Sequence, residues 1–211
     1  MKNKTKVLGL LLAAILLVST TVLGTMAYLT DTQEVKNTFT VGNVAITLDE
    51  AVIDANGAAT ATRTTQGNEY HLLPGHTYDK DPTVTVKEGS EESYIRMIVT
   101  VNEKADLDAI GVDIATVFQG YDLEKWGTPS ETNNVAANTR TYKFRYANTV
   151  SAAAGDVKLE PLFTSIVIPG DITNEQLESI NDLEINIVAQ AIQADGFEDA
   201  AAAWAAFDAA E

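Results

Sequence analysis

Apolar and polar residues alternate with a period of two in several separate stretches of this chain, and this alternation constrains the fold more than any other feature. Such a period is typical of half-buried strands. The apolar positions are Val44, Ile46 and Leu48, then Val84 and Val86, then Ile95, Met97, Val99 and Val101, then Tyr142, Phe144 and Tyr146, and then Leu183, Ile185 and Ile187. With the apolar run 162–168, they predict a mainly β chain that folds as an antiparallel β-sandwich.

Two connections between these stretches carry predictions of their own. Residues 87–92 are polar and include Gly89, so they predict a hairpin loop that makes the second and third stretches neighbouring strands. Residues 54–69, DANGAATATRTTQGNE, show no apolar pattern. They predict a mobile loop or a linker.

A few short helices should accompany the strands. Apolar residues recur at helical spacing between about residues 104 and 118, at Leu107, Ile110, Ile114 and Val117. The sequence from Thr173 to Gln176 has the pattern of a capping box, which starts a second helix. Near the C-terminus, an Ala-rich stretch carries Phe197, Trp204 and Phe207, and its flanking charges are acidic. Acidic flanks disfavour anionic lipid, so this third helix should dock on the protein's own apolar surface.

The first 27 residues have the form of a secretory signal helix. Lysines at positions 2, 4 and 6 precede the uncharged apolar run 7–18, and the small-x-small triplet Thr25-Met26-Ala27 follows. We therefore expect export and cleavage between Ala27 and Tyr28, with no membrane attachment afterwards. The alternative is an uncleaved membrane anchor, for which the apolar run is short.

The net charge excludes several classes of partner. The signal segment holds three of the 14 Lys and Arg residues and none of the 30 Asp and Glu residues, which leaves 11 minus 30, or −19, for residues 28–211. Such a chain repels nucleic acid and anionic lipid. The sequence has no cysteine, so it lacks disulfides, thiol catalysis and thiolate zinc sites, and a core must stabilise it.

No pattern in the sequence predicts catalysis, a metal site or a cofactor. The chain has no His-Glu-x-x-His, no Gly-x-Ser-x-Gly and no Gly-rich phosphate loop. Its only histidines, His71 and His76, flank Pro74-Gly75, which prevents the regular helix that would bring two imidazoles together. Carboxylates nearby, at Glu69, Asp79 and Asp81, are interpreted as a solvated acidic surface, because they lack the spaced ladder of a calcium loop.

Several segments together resemble one known family. They are the leader with AYLTDT at 27–32, NTFTVGNV at 37–44, LPG at 73–75, KDPTVTV at 80–86, SYIRMIVTV at 93–101 and AQAIQADGF at 189–197. In combination these segments resemble the TasA and camelysin family of Firmicutes surface proteins, whose export uses the dedicated signal peptidase SipW. The resemblance implies a jelly-roll-like sandwich secreted to the surface or matrix of a Gram-positive bacterium.

In the fibre-forming members of that family, the mature N-terminal segment leaves its own subunit and completes the sheet of the next one. The resemblance therefore divides this chain into the signal 1–27, a candidate donor strand 28–48 and a sandwich domain 49–211. Phe39, Val41, Val44, Ile46 and Leu48 are the strand-exchange candidates. From the residues alone, an intramolecular first strand is an equal alternative.

Three functions remain open at this stage. The resemblance favours a structural subunit of extracellular fibres or biofilm matrix, which associates with itself and with other matrix proteins. A camelysin-like cell-surface metalloendopeptidase is the enzymatic alternative, although the sequence lacks the metal motif. A monomeric exported binding module is the third.

The mature protein should begin at Tyr28, because a signal peptidase selects small residues at the positions that Thr25 and Ala27 occupy. N-terminal sequencing of the exported protein checks this. Recovery of Met1, or of a start more than a few residues away from Tyr28, would instead support the membrane anchor.

Overall fold

The structure, a computed structural model, describes residues 43–210 apart from the side chains of Ile114 and Ala115. The signal segment, its cleavage site at Ala27 and Tyr28, and the candidates Phe39 and Val41 lie outside these residues. The strands are β1 (Ile46–Ile53), β2 (Ala59–Thr64), β3 (Thr77–Asp79), β4 (Thr83–Val86), β5 (Ser93–Val101), β6 (Phe118–Gln119), β7 (Ser130–Asn134), β8 (Thr139–Arg145), β9 (Val157–Lys158), β10 (Ser165–Val167) and β11 (Ile185–Gln193). The helices are α1 (Lys104–Ala109), α2 (Ile114–Val117), α3 (Leu123–Trp126), α4 (Asn174–Glu178) and α5 (Ala200–Ala210).

The described strands form three sheets, and each pairing is antiparallel. Two sheets have four strands, in the orders β2-β1-β4-β9 and β11-β5-β8-β7, and the third has the order β3-β10-β6. The prediction of a mainly β, antiparallel protein with few and short helices is confirmed.

Strand β5 shows how alternation builds the core. Its residues Ile95, Met97, Val99 and Val101 are completely buried, and they join a single cluster with Val84 and Val86 of β4, Tyr142 and Phe144 of β8, and Ile166 of β10. The intervening residues of β5 point to the opposite face of the sheet, as a period of two requires.

The predicted hairpin between β4 and β5 is wrong. These strands lie in different sheets, and residues 87–92 cross from one sheet to the other. The crossing is held by Ser90, whose hydroxyl exchanges hydrogen bonds with the backbone of Ala45, and by the bond from the Glu91 N–H to the Asn43 carbonyl. A short polar connection suits a hairpin and a sandwich corner equally, so its composition does not distinguish them.

The prediction that residues 54–69 form a mobile loop or linker is also wrong, because β2 lies within them and pairs with β1. The turn before β2 is made by Asp54, whose carboxylate accepts the N–H groups of Asn56 and Ala58. Gly57 closes this turn at φ 80°, with the ring of Tyr78 so near that a Cβ would lie 2.5 Å from it. β2 is an exposed edge strand of Ala, Thr and Arg, and such a strand needs no apolar face.

The single helix predicted for residues 104–118 is interrupted. Helix α1 stops at Ala109, and Gly111 follows at φ 73°. That left-handed conformation ends a helix and favours glycine. After the break Val112 is buried and a second short helix, α2, begins. Leu107 and Val117 are buried and Ile110 is partly buried, as the apolar spacing predicts, but the spacing gives no sign of the interruption.

The capping box before α4 is confirmed. The Thr173 hydroxyl accepts the N–H of Gln176 at 3.2 Å, and the Gln176 side chain accepts the N–H of Thr173 at 2.8 Å. The two bonds satisfy backbone donors that the first turn of a helix otherwise leaves free.

The C-terminal helix α5 docks on the outer face of the sheet that contains β5. Trp204 is 1% exposed, and the guanidinium of Arg96 lies 4.3 Å from the Trp204 ring centroid and 5.0 Å from that of Phe207. Arg96 also donates to Gln190 and to Asp208. The predicted docking helix is thus confirmed, with a buried arginine at its centre.

Arg96 holds the pKa of the Asp208 carboxyl below its usual range through their hydrogen bond. A carboxyl whose pKa is lower in the folded state stabilises that state above its ordinary pKa. This contribution to α5 docking is lost as the pH falls from there through the folded value. Within residues 43–210, no helix has the length and apolarity needed to cross a membrane.

Replacing Trp204 by Ala should lower the free energy of unfolding by about 3–5 kcal/mol, the usual cost of deleting a buried aromatic side chain. Urea denaturation followed by circular dichroism measures the change. Val135→Ala is the matched control, because Val135 is 84% exposed. A loss of stability in Trp204→Ala as small as that in the control would contradict the docking of α5 on the sheet.

Candidate functional site: an open sheet edge and an apolar groove

Strand β11 is an edge of its sheet. Its nine residues pair with β5 along their whole length, from Ile185 opposite Val101 to Gln193 opposite Ser93. On its other side β11 has no strand partner among residues 43–210. An edge strand presents free backbone N–H and C=O groups, which pair readily with another extended chain.

The side chains of β11 distinguish it from the other long edges. Ile185, Ile187, Ala189 and Ala191 pack against the core, while Val188 on the opposite face is 44% exposed. In contrast, β7 has the sequence SETNN and is exposed throughout, and β2 has the sequence ATATRT. Of the described edges longer than three residues, β11 is therefore the one with apolar side chains.

Strand β1 is also incompletely paired. Its residues from Ile46 to Asp49 pair with β4, whereas β2 joins β1 only from Glu50 onward. The opposite side of this first half has no strand partner within the described residues. Strand β11 lies within contact distance of β1, yet the two strands share no ladder. Two incompletely paired strands therefore lie close together.

A groove of about 1130 Å³ begins where β11 begins. One wall is residues 66–73, and the other is residues 180–186. Between the walls, the groove is lined by apolar side chains of the core elements, which are Tyr78, Leu107, Val112, Val117, Ile166 and Ile168. The walls add polar side chains, among them Gln66, Asn68 and Asp182. A depression of mixed lining at the start of an edge strand can accept an extended peptide segment.

The first wall is held by Tyr78. Its hydroxyl donates to the carbonyl of His71 and accepts the N–H of Leu73 at 2.9 Å. The ring of Tyr70 packs edge-on against that of Tyr78, with centroids 5.7 Å apart. Burial and the negative charge of Glu50 raise the pKa of the Tyr70 phenol well above its usual range. Tyr70 therefore stays protonated at neutral pH and can act as a donor.

The second wall is held by Asn102, at the end of β5. Its amide nitrogen donates to the carbonyl of Asp182 at 2.8 Å, and its amide oxygen accepts the N–H of Glu184 at 2.6 Å. The helix α4 precedes this wall and contributes Leu177 to the groove. Asn102 thus fixes the wall to β5, the central strand against which β11 also pairs.

Two of the strand-exchange candidates belong to the chain's own strand β1. Ile46 pairs with Val86 and Leu48 pairs with Val84, both on β4, which corresponds to the intramolecular alternative. Val44 precedes β1 and is half-buried. The boundary drawn between residues 48 and 49 falls inside β1.

The two histidines have separate surroundings. His71 is exposed, whereas His76 lies against the Tyr78 ring at 4.6 Å, with its Nε2 2.9 Å from the carbonyl oxygen of Asn56. No group of three or more His, Asp or Glu side chains within the described chain is arranged to hold a metal ion.

Sequence reasoning missed the β11 edge and the groove. The alternation of Leu183, Ile185 and Ile187 predicts a strand. The same alternation occurs in edge strands and in central strands, so it does not distinguish them. The walls are irregular segments that share no pattern.

Comparison of the chain with models of protein families, with curated proteins and with solved structures found no match.

We expect zinc far below one ion per chain, both in the unaltered protein and in the double variant His71→Ala, His76→Ala, because the two rings have different partners. Elemental analysis of the purified proteins measures this. Loss of the His76 contact should lower the free energy of unfolding by about 1 kcal/mol. A stoichiometry near one zinc per chain that disappears in the double variant would reveal a metal site.

Proposed function

We propose that this chain is a secreted structural subunit that assembles into extracellular fibres or biofilm matrix, with the N-terminal segment of one mature subunit completing the sheet of the next. The observation that carries the proposal is the nine-residue strand β11, which pairs with β5 alone among the strands of residues 43–210 and begins beside a groove. The residues quoted for the TasA and camelysin resemblance point to the same function.

Strand addition suits the chemistry of this surface. A peptide added beside β11 would form main-chain hydrogen bonds with the strand, and the part of the peptide next to Ile185 and Asn186 would enter the groove.

The donor in this proposal is the segment 28–42, which contains Phe39 and Val41. Cleavage after Ala27 would give this segment a free end, so it could leave its own domain without dragging a connection behind it. At about 3.3 Å per residue, its 15 residues reach about 50 Å when extended. Ile46 and Leu48 remain in the ladder with β4 and anchor the donor to its own subunit.

The acidic charge influences how such subunits meet. A net charge of −19 on each mature chain, from 11 Lys and Arg against 30 Asp and Glu, makes subunits repel one another. Assembly therefore needs a specific contact, and salt that screens the charge should favour it.

The setting that we propose follows from the same resemblance. The sandwich would be of the jelly-roll type, and a SipW-type signal peptidase would release the chain to the cell surface or matrix of a Gram-positive bacterium. Other matrix proteins would be its further partners. It would have no nucleic acid or membrane partner after cleavage.

Three proteins test strand donation. The mature chain from Tyr28 should form filaments visible by electron microscopy. A chain that begins at Asn43 retains β1, so it should melt at nearly the same temperature but sediment as a monomer. Val188→Lys in the mature chain should also prevent filaments, since a charge on an edge strand opposes pairing.

The control is Val135→Lys, which places the same charge at an exposed loop position and should leave filaments intact. A chain cut at Asp49 loses part of the ladder with β4, so it should show a marked drop in melting temperature. Filaments formed by the chain from Asn43, or formed equally well by Val188→Lys, would rule out donation to the β11 edge.

A further inference from the structure

Glu50 of β1 and Lys80, which follows β3, form a buried ion pair. Each residue is 6% exposed, and the Lys80 Nζ lies 2.6 Å from the Glu50 Oε2. The desolvation of two buried charges often outweighs their attraction, so a buried pair is weak evidence for a purely stabilising role. Neighbouring carboxylates do not share Lys80, because Arg63 contacts both Asp49 and Asp81 at 2.6 Å.

A third side chain completes the group. The amide nitrogen of Asn68 donates to the other oxygen of Glu50, Oε1, at 2.8 Å, and to the carbonyl of Ala51 at 2.8 Å. The amide oxygen of Asn68 accepts the backbone N–H of Ile53 at 3.1 Å. One buried carboxylate therefore touches a primary amine with one oxygen and the nitrogen of an amide with the other.

These contacts supply the parts of an acyl-transfer site. An amine is the nucleophile, an amide carbon is the electrophile, a carboxylate between them can move protons, and a backbone N–H faces the oxygen on which charge develops. We propose that Lys80 and Asn68 become joined by an intramolecular isopeptide bond, with Glu50 as the catalytic acid and base.

The step balances without an oxidant or a cofactor. Lys80 passes a proton to the Glu50 Oε2, and the free electron pair of Nζ attacks Cγ of Asn68. Charge gathers on the Asn68 Oδ1, where the Ile53 N–H stabilises it. The Glu50 carboxyl group then turns and delivers this proton to the Asn68 nitrogen, the Cγ–Nδ2 bond breaks, and ammonia leaves. The ammonia takes the second proton from Nζ and departs as an ammonium ion. In sum, a lysine ammonium and a primary amide give a secondary amide and one ammonium ion.

The surroundings bury the amine and the carboxylate, whereas Asn68 is half-buried. The Tyr70 ring lies 5.5 Å from the Lys80 Nζ. Burial of Glu50 and Lys80 strengthens their interactions with the developing charge. The product would give a chain without cysteine a covalent tie between the first groove wall and the strand region after β3.

Tryptic digestion of the folded, purified protein tests the bond directly. No Lys or Arg lies between residues 63 and 80, and the next is Lys87. A bonded Lys80 resists trypsin, so we expect one peptide, residues 64–87, lighter by one ammonia. Cleavage after Glu69 with a glutamate-specific protease should leave residues 64–69 and 70–87 joined. Loss of ammonia by ring closure at Asn68 or Gln66 alone would let these pieces separate, and that result overturns the proposal.

Variants assign the roles. Glu50→Gln and Lys80→Arg should each yield unjoined pieces of full mass, while circular dichroism confirms that they fold. Asn68→Asp should still join but lose one water in place of one ammonia, because the leaving group has changed. Lys87→Arg, at the exposed pair with Asp156, should leave the bond intact. Recovery of residues 64–80 at full mass from the folded unaltered protein would overturn the proposal whatever the variants show.

Discussion

The alternate side chains of β5 and the valines of β4 are completely buried in one apolar cluster that spans the sheets. Burial of each such side chain stabilises the fold by about 1.5–3 kcal/mol, and a chain without cysteine depends on this layer. The period of two that points Met97 into the core also points Arg96 to the outer face. That face is covered by α5, whose Trp204 and Phe207 stack on the guanidinium while Asp208 supplies the opposite charge. The alternation of β5 therefore produces both the core layer and the surface on which α5 docks.

Antiparallel sheets built in this way have strands at their edges, and the described edges differ in chemistry. β2 and β7 carry small or polar side chains, which make poor templates for further pairing. β11 is long and apolar, and it lies beside the groove and the partly paired half of β1. If every edge were unsuited to association, β11 would also carry polar or small side chains. The contrast between its edges is the physical ground on which the assembly proposal stands.

The sequence predicted the strands better than their arrangement. Alternation predicts the central residues of β1, β4, β5, β8 and β11, because each strand with one buried face shows the alternation in its own sequence. It gave no sign that β4 and β5 belong to different sheets, since the sheet partner of a strand is decided by side chains far away in the chain. The sequence does not predict β2, because an edge strand needs no apolar face. It does not predict the break in the 104–118 helix either, because a glycine that ends a helix at positive φ cannot be distinguished in sequence from a glycine that a helix tolerates. The groove could not be predicted at all, since its walls are irregular segments positioned by single hydrogen bonds, such as those of Asn102.

The group formed by Glu50, Lys80 and Asn68 lies at a wall of the groove that the added strand would enter. Residues 66–73 form a wall of the groove, and Asn68 fastens that wall to β1 through the Ala51 carbonyl and the Ile53 N–H. In a fibre, tension on an added strand would pass through the wall to the strands behind it. Hydrogen bonds of about 1 kcal/mol each can open in turn under such a load, whereas an amide between Asn68 and Lys80 would close residues 68–80 into a ring that cannot slip. Because the chemistry of this group needs only one folded chain, it would be complete before any neighbour arrives, and the groove would meet its partner with one wall already fixed.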